Sequence, residues 1–345
     1  MAQAHKPLDG QVALVAGATR GAGRGIALML GEAGAKVYCT GRSTRAQGAT
    51  PGRPETIEET AELVVGAGGA AVAVRCDHTR EDEVISLVDR IKADDGRLDI
   101  LVNDVWGGDA LIDWEAKFWT LDMGAVATLT ERAIFSHILT ARHAAPMMVE
   151  ANRGLILEIT DNELPGYRGQ LLYDLVKASV IRLAYAMAWD LAATGVTALS
   201  LTPGFLRSEH VLEQQGVTEA NWRDAVAKDP TFEQSETPCF IGRVVAALAA
   251  DPKVKSKSGG AFFVADLADE YGVTDLDGRV PRFWGTLETW LERKMEQGPL
   301  EGQAHWMGMA RYAMVHPSLA HRDLAARLAA NLKLGGLSGP LQPIS

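Results

Sequence analysis

Short, almost wholly apolar segments alternate with longer amphipathic or alanine-rich ones from Gln11 onward, and this alternation constrains the fold more than any other feature. The apolar segments predict strands at residues 12–16, 36–40, 71–76, 98–103, 155–160, 196–202 and 260–264. The longer segments predict helices at residues 26–32, 55–65, 81–92, 128–151 and 176–191. Apolar strands separated by helices form a parallel sheet that is covered on both faces. The expected fold class is therefore α/β, a doubly wound parallel sheet of about seven strands.

The domain organisation follows from where this alternation stops, near Asp266 in a chain of 345 residues. We assign residues 8–268 to the α/β domain and residues 269–345 to a C-terminal helical extension. Helical patterns in the extension lie at residues 283–295 and 319–332, and the Gly- and Pro-rich residues 335–345 are expected to be loose.

Composition excludes several classes of protein. A formal charge of -10 disfavours nucleic-acid binding, because neutralising phosphates needs clustered Lys and Arg. No apolar run reaches the roughly 18 to 20 residues that cross a bilayer, so we expect no membrane partner. Cys39, Cys76 and Cys239 have neither a zinc spacing nor a disulfide framework, which predicts reduced thiols and no metal site. A soluble cytoplasmic protein is expected.

A glycine-rich turn, with Gly17, Gly21 and Gly23, separates the first predicted strand from the first helix. Glycines allow a sharp turn and a close approach to phosphate, whose charge the helix N-terminus stabilises. A turn of this kind also occurs as a plain connection that binds nothing. Its position in the first βαβ unit favours a dinucleotide site.

The spacing of these glycines resembles the GxxxGxG turn of the short-chain dehydrogenase/reductase superfamily. Further matches follow in the family's order: Asp77 after the third strand, Tyr173 and Lys177 as YxxxK, and Pro203-Gly204 after the sixth strand. The resemblance spans roughly residues 12–264. It implies a Rossmann-type fold, with residues 8–268 as the NAD(P)-binding catalytic domain, and a homodimer or homotetramer formed through helices.

The resemblance also implies which residues contact a nicotinamide dinucleotide. They are Gly17, Thr19, Arg20, Gly21, Gly23, Arg42, Ser43, Asp77, Asn103, Lys177, Pro203, Gly204, Leu206 and Ser208. In the family the Asp contacts adenine, the Lys hydrogen-bonds the nicotinamide ribose, and the Pro-Gly pair passes along the nicotinamide.

The end of the second strand indicates which cofactor is used. An acidic residue there would bind the ribose hydroxyls of NAD and repel a 2′-phosphate. This chain has none, and Arg42 offers a forked, charge-assisted hydrogen bond with Ser43 beside it. NADP(H) is therefore expected in preference to NAD(H). Arg45 and Arg53, on the same loop, are interpreted as phosphate contacts or as solvated side chains, and solvation is preferred for Arg53.

Reducing a carbonyl group requires a general acid, and Tyr173 is expected to be that group. Lys177 lies one helical turn away, and its ammonium favours the phenolate. The family's third catalytic residue, a Ser near the end of the fifth strand, is missing. Thr160, thirteen positions before Tyr173, is the preferred replacement, and Asp161 is the alternative. An ionised Asp161 accepts hydrogen bonds but donates none to an oxyanion.

Other positions also depart from the family pattern. Asn103 is kept, but Trp106 puts a large ring near the expected cofactor cleft. The helix at 128–151 lacks the family's proton-relay Asn. A water chain or His137 would take its place, although a packed helix histidine is the preferred interpretation of His137.

The substrate is expected to bind under the segment after the sixth strand. Residues 205–235 are interpreted as a lid, with a helix pair at 209–228 that contains Trp222. Arg207 is interpreted either as a contact for an anionic substrate or as an exposed, solvated side chain.

Together these features predict an NADP(H)-dependent oxidoreductase that transfers hydride between the nicotinamide and a small-molecule carbonyl or alcohol. Tyr173 is the expected general acid and base. Two alternatives stand beside this prediction. One is a lyase or epimerase of the same fold that retains its cofactor, and the other is a non-catalytic protein that senses dinucleotides.

Overall fold

The computed structural model describes residues 6–48, 50, 52–161, 168 and 170–286, in which seven of the strands form one parallel sheet. These strands are β1 (Val12–Ala16), β2 (Lys36–Gly41), β3 (Ala70–Arg75), β4 (Ile100–Asn103), β5 (Gly154–Ile159), β6 (Val196–Thr202) and β9 (Ala261–Phe263). Two-residue strands β7 (Phe205–Leu206) and β8 (Ser235–Glu236) pair separately. The order across the large sheet is β3-β2-β1-β4-β5-β6-β9. The predicted doubly wound α/β fold is confirmed. Each of the seven strands of the large sheet begins and ends within two residues of its predicted first and last residue.

Helices cover both faces of the sheet because its central strands are apolar on both sides. The helices are α1 (Gly21–Glu32), α2 (Ile57–Gly66), α3 (Glu81–Asp95), α4 (Met123–Thr130), α5 (Ser136–Glu150), α6 (Leu171–Asp190), α7 (Glu209–Gln215), α8 (Pro238–Ala250) and α9 (Val264–Tyr271). On one face, Val15 of β1 shares a core cluster with Ile26 of α1 and Val244 of α8. On the other face, Leu14 shares a cluster with Leu87 of α3.

Helices α1 and α8 approach so closely that two positions must be glycine. A Cβ on Gly25 would lie 1.9 Å from the carbonyl oxygen of Pro238, and a Cβ on Gly242 would lie 2.4 Å from that of Gly25. The helices therefore pack backbone to backbone. This contact fixes the N-terminus of α1 at the carboxyl edge of the sheet.

The long helix predicted at 128–151 is interrupted. A π turn, Glu131–Phe135, lies between α4 and α5. Such turns contain an extra residue and often occur at functional sites. Arg132 of this turn reaches the loop after β4, where it donates to the carbonyl of Gly107.

The predicted lid contains α7, but its second helix is a 3-10 segment, Trp222–Ala227. The interpretation of Arg207 as an exposed side chain is wrong. Arg207 is 2% exposed, its Nη2 lies 2.8 Å from Glu219, and its guanidinium lies 4.2 Å from the Trp222 ring. It also donates to the carbonyl of Ser235. This buried guanidinium therefore anchors the lid to β8.

The predicted domain boundary at residue 268 falls inside α9, and the chain continues along the same domain. Asp275 is buried and accepts hydrogen bonds from the backbone N–H and the hydroxyl of Thr237, at the start of α8. Most of the predicted helical extension, including residues 319–332, lies outside the described residues. Among the described helices, none combines the length and the apolar character that a membrane span requires.

Candidate active site

A cavity of about 920 Å³ opens where the parallel strands end. Most of the predicted site residues line it: Gly17, Thr19, Arg20, Gly21, Arg42, Ser43, Asp77, Thr160, Asp161, Tyr173, Lys177, Pro203, Gly204, Leu206 and Ser208. Gly23 and Asn103 do not belong to its lining. We call the part around Arg42, Asp77 and Arg132 the arginine end, and the part around Asp161, Tyr173 and Lys177 the tyrosine end.

The glycine turn forms one wall of the cavity. Gly17 has φ +95°, and a Cβ there would lie 2.4 Å from the carbonyl oxygen of Asp104. Gly23 serves the turn itself rather than the cavity, because its Cβ would lie 2.3 Å from the carbonyl oxygen of Gly17. Burial raises the pKa of Asp104 to about 7. The turn therefore leaves room for a close ligand, and Asp104 lines the same cavity.

The N-terminus of α1 already binds an anionic group of the protein. The Gly21 N–H donates to the Glu209 carboxylate at 2.8 Å, and Arg24 lies 3.6 Å from the same group. This carboxylate stands where a pyrophosphate would bind, since unpaired N–H groups and the helix dipole favour an anion there. The contact supports the fit of a dinucleotide to this turn. It also ties the first residue of α7, in the lid, to the cofactor wall.

At the arginine end, two guanidinium groups converge on Gly107. A Cβ on that glycine would lie 3.3 Å from Cδ of Arg132 and 3.6 Å from Nη2 of Arg42. Arg132 donates to the carbonyl of Gly107 at 2.9 Å, while Arg42 lies 3.8 Å from Asp77. Burial and the charge of Arg42 lower the pKa of Arg132. Two like charges this close favour an anionic ligand between them.

Arg132 was missed by the sequence analysis. It lies on the π turn, which local helical periodicity does not reveal. The other arginines of the loop do not join the site in this way. Arg45 is 57% exposed and pairs with Glu62 at the surface. Arg53 is only 10% exposed and pairs with Glu55 and Glu213, so the preferred interpretation of Arg53 as a solvated side chain is wrong.

At the tyrosine end, the structure brings Asp161 rather than Thr160 to Tyr173. The Thr160 N–H still donates to the carbonyl of Leu201 on the sheet, and its hydroxyl donates to the carbonyl of Lys177 at 2.8 Å. Asp161 is the second residue after β5, and its Oδ2 accepts the phenolic O–H of Tyr173. Arg168 donates to the same oxygen at 2.9 Å. A carboxylate therefore occupies the place of the expected hydroxyl.

At the tyrosine end, neighbouring charged groups shift one another's pKa values. Burial alone would raise the pKa of Asp161, but the positive charges of Arg168 and Lys177 lower it. Burial and the Asp161 charge hold the pKa of Tyr173 well above its ordinary value. Burial lowers the pKa of Lys177, against the opposing effect of Asp161. The expected stabilisation of the phenolate by Lys177 is thus outweighed.

Two tryptophans enclose this end. The Trp106 and Trp114 rings lie 5.6 Å and 5.1 Å from the Tyr173 ring, measured between centroids. Nζ of Lys177 lies 4.1 Å from the centroid of Trp106 and 5.6 Å from that of Tyr173. Trp106, whose ring was expected near the cofactor cleft, therefore covers the ammonium group of Lys177.

Asn103 and His137 lie behind the cavity in a buried network. Asn103 donates to Glu158 at 2.7 Å, and His137 lies 2.6 Å from the second oxygen of that carboxylate and 3.0 Å from the carbonyl of Val105. The charge and hydrogen bond of Glu158 raise the pKa of His137 against the effect of burial. His137 is thus a packed helix histidine that supports the loop after β4.

After β6, Pro203 and Gly204 line the cavity. Behind them lies the carboxyl group of Glu236, which the sequence analysis also missed. Glu236 is 1% exposed and accepts the Gly204 N–H at 2.9 Å. Burial raises the pKa of Glu236 to about 8. Ser208 lies on the wall, and its hydroxyl accepts from the N–H of Val211 at the start of α7. Sequence spacing gave no signal for Glu236, because β8 pairs with β7 over a long connection.

Comparisons with known proteins give matches to one family in both sequence and structure. The family described as short chain dehydrogenase matches residues 11–216. The mouse protein dehydrogenase/reductase SDR family member 1 is 36% identical over 278 residues, which cover 79% of this chain and 85% of that protein. The 7alpha-hydroxysteroid dehydrogenase of Escherichia coli K12 is 30% identical over 203 residues, 59% of this chain and 73% of that one. A crystal structure of a hydroxysteroid dehydrogenase from Escherichia coli superposes with a TM-score of 0.60 at 25% identity, covering 76% and 98% of the two chains.

Proposed function

Because this chain belongs to the short-chain dehydrogenase/reductase superfamily, we propose that it is an NADP(H)-dependent oxidoreductase acting on a small-molecule carbonyl or alcohol. One observation carries the proposal. A phosphate-binding turn, a pair of arginines and the Tyr173–Lys177 pair all line one cavity at the carboxyl edge of the sheet. Ligands of doubly wound folds bind at that edge.

The choice of NADP(H) rests on the arginine end. Arg42 and Arg132 both lie next to Gly107, and Ser43 lines the same cavity. The end of β2 carries no acidic side chain that would bind ribose hydroxyls and repel a phosphate. A 2′-phosphate would relieve the repulsion between the two guanidinium groups and accept their forked hydrogen bonds.

The bound cofactor supplies or accepts the hydride. Tyr173 handles the proton at the substrate oxygen, and Lys177 offsets the negative charge that remains on the phenol. Asp161 holds the phenolic proton when substrate is absent, and Arg168 is the cation closest to that carboxylate. Catalysis of a ketone reduction therefore requires Tyr173 to exchange Asp161 for the substrate oxygen.

Names of relatives support the substrate class. Besides the hydroxysteroid dehydrogenase, a 3-oxoacyl-[acyl-carrier-protein] reductase of Synechocystis is 28% identical over 260 residues. Each of these names describes the interconversion of a carbonyl and an alcohol. We carry only that shared chemistry to this chain.

The test measures NADPH and NADH binding by calorimetry, followed by NADPH oxidation with a panel of ketones, aldehydes and quinones. We expect tighter NADPH binding and a turnover that falls about 100-fold or more in Tyr173→Phe. Tighter NADH binding would contradict the cofactor assignment. Product formation without net NADPH consumption would instead indicate a lyase or epimerase, and unchanged function in Tyr173→Phe would indicate a sensor.

The proposal includes a cytoplasmic homodimer or homotetramer. Helices α5 and α6 expose Ile138, Val149, Leu175, Tyr185 and Trp189, an unusually apolar set for a surface. A second copy of the chain would cover these side chains. Light scattering after size exclusion is expected to give a multiple of the 37.0 kDa chain mass, and Trp189→Glu is expected to lower it.

A further inference from the structure

The replacement of a neutral hydroxyl by Asp161 changes what the tyrosine end can recognise. Among the described residues, both donors to this carboxylate, Tyr173 and Arg168, reach Oδ2, and neither reaches Oδ1. The side chain of Asp161 is 24% exposed toward the cavity that it lines. An ionised carboxylate only accepts hydrogen bonds. The substrate group that fits beside it is a hydrogen-bond donor, whereas a ketone is only an acceptor.

Asp161 also disfavours acid catalysis by Tyr173. When Tyr173 gives its proton to a substrate oxygen, the phenolate is left next to the Asp161 carboxylate. Like charges at this distance repel, and Lys177 and Arg168 only partly offset that repulsion. A substrate that arrives already protonated avoids the problem, because its reduction removes a positive charge and leaves the phenol intact.

The surroundings also suit a planar cation. Trp106 and Trp114 both line the cavity, and the centroids of their rings lie 5.6 Å and 5.1 Å from that of Tyr173. Aromatic rings attract cations electrostatically. Asp104, Asp109 and Asp161 all lie close enough to act on the pKa of Lys177 in the upward direction, so three carboxyl groups lie near this ammonium group.

We infer that this site also takes protonated cyclic imines and the matching secondary amines, with Asp161 accepting the substrate N–H in the part of the cavity that the two tryptophans line. The inference rests on the hydride-transfer part of the proposed function and adds a substrate class to it. In the reduction, the imine carbon accepts a hydride from the reduced nicotinamide, which is oxidised. The C=N π electrons become the nitrogen lone pair, the N–H proton stays on nitrogen, and Tyr173 keeps its proton.

The first test is binding, with no cofactor present. Calorimetry compares 1,2,3,4-tetrahydroisoquinoline, a cation at pH 7, with its neutral ring analogue 1,2,3,4-tetrahydro-2-naphthol. We expect the cation to bind about 10-fold more tightly or better, since a hydrogen bond between charged groups is the stronger kind. Asp161→Asn is expected to abolish this preference. Asp113→Asn, an exposed carboxylate outside the cavity lining, serves as the matched control and is expected to keep it.

Equal or tighter binding of the neutral alcohol would overturn the inference, as would an unchanged preference in Asp161→Asn. A second measurement follows turnover of 3,4-dihydroisoquinoline and 2-tetralone with NADPH. Tyr173→Phe is expected to lower ketone reduction about 100-fold more than imine reduction, because only the ketone needs the phenolic proton. Ketone reduction without imine reduction would sink the inference alone. If NADPH is oxidised with neither of the two compounds nor with any other carbonyl compound, the proposed function is wrong. The binding result would still decide the role of Asp161.

Discussion

The arginine end of the cavity presents half-exposed cations, whereas the tyrosine end encloses carboxyl groups. Arg42 is 31% exposed and lies beside Arg132, with Asp77 as the nearest acid. Toward the other end, burial raises the pKa of Asp104, on which the charge of Lys177 acts, to about 7, and behind Pro203 and Gly204 burial raises the pKa of Glu236 to about 8. Solvent screens the first set of charges, while the second set acts on its neighbours at low dielectric.

This difference indicates that the arginine end is suited to binding a cofactor phosphate and the tyrosine end to taking part in the reaction. Exposed cations attract a phosphate with little effect on the fold. Enclosed carboxyl groups cost stability unless they are paired or protonated, and strongly shifted pKa values tend to mark reactive sites. Substitutions at the arginine end are therefore expected to change cofactor affinity, and those at the tyrosine end to change turnover and the pH dependence of stability.

The largest effect is expected at Lys177, which tests whether the tyrosine end works through charge. Lys177→Met removes the ammonium over Trp106 and leaves Arg168 as the cation nearest to Asp161. We expect kcat/KM for ketone reduction to fall about 100- to 1000-fold, because the phenolate would form without the ammonium group that lies 5.6 Å from the centroid of the Tyr173 ring. Steady-state kinetics with a thermal unfolding control measure this. A change confined to NADPH affinity would remove the distinction between the two ends.

Glu236→Gln tests whether the enclosed carboxyl groups affect folding. The folded-state pKa is about 8 and the ordinary value is 4.5, so the folded state keeps a proton that the unfolded state releases. The group therefore lowers stability progressively as pH rises from about 4.5 to 8. Relative to wild type, we expect the free energy of unfolding of Glu236→Gln to increase by about 4 kcal/mol between pH 5 and pH 8.5. Urea unfolding at several pH values measures it, with exposed Glu233→Gln as the control, and parallel curves would contradict it.

These two ends also differ in how far the sequence predicts them. Strand positions and the residues that directly follow strands were predictable, because apolar alternation is local, and so Gly17, Arg42 and Asp77 reach the cavity wall as expected. The choice between Thr160 and Asp161 was not, since a shift of one residue decides which side chain leaves the sheet. Glu236 lies 32 residues from Gly204, and Arg132 lies on a π turn. Both depend on packing that no local pattern records.

Arg42→Ala tests the binding role of the arginine end. The forked, charge-assisted contact to a 2′-phosphate is expected to contribute about 1.5 to 3 kcal/mol, so the Kd for NADPH rises about 10- to 100-fold. The Kd for NADH is expected to stay within about 2-fold, because NADH has no such phosphate. Arg45→Ala is the matched control, since Arg45 lies on the same loop but pairs with Glu62. Equal losses for both cofactors would show that Arg42 acts on the fold of the loop.

Arg132→Ala is expected to have the smallest effect on NADPH affinity, and it tests whether both arginines of this end bind phosphate. Its guanidinium already donates to the carbonyl of Gly107, so only part of its fork faces a phosphate. We expect the Kd for NADPH to rise about 3- to 10-fold at low salt, and less at high salt because the contact is screened. Without cofactor, the same change removes a like charge beside Arg42, so the melting temperature is expected to stay level or rise. A lower melting temperature with equal losses for NADPH and NADH would mean that Arg132 supports Gly107 and binds no phosphate.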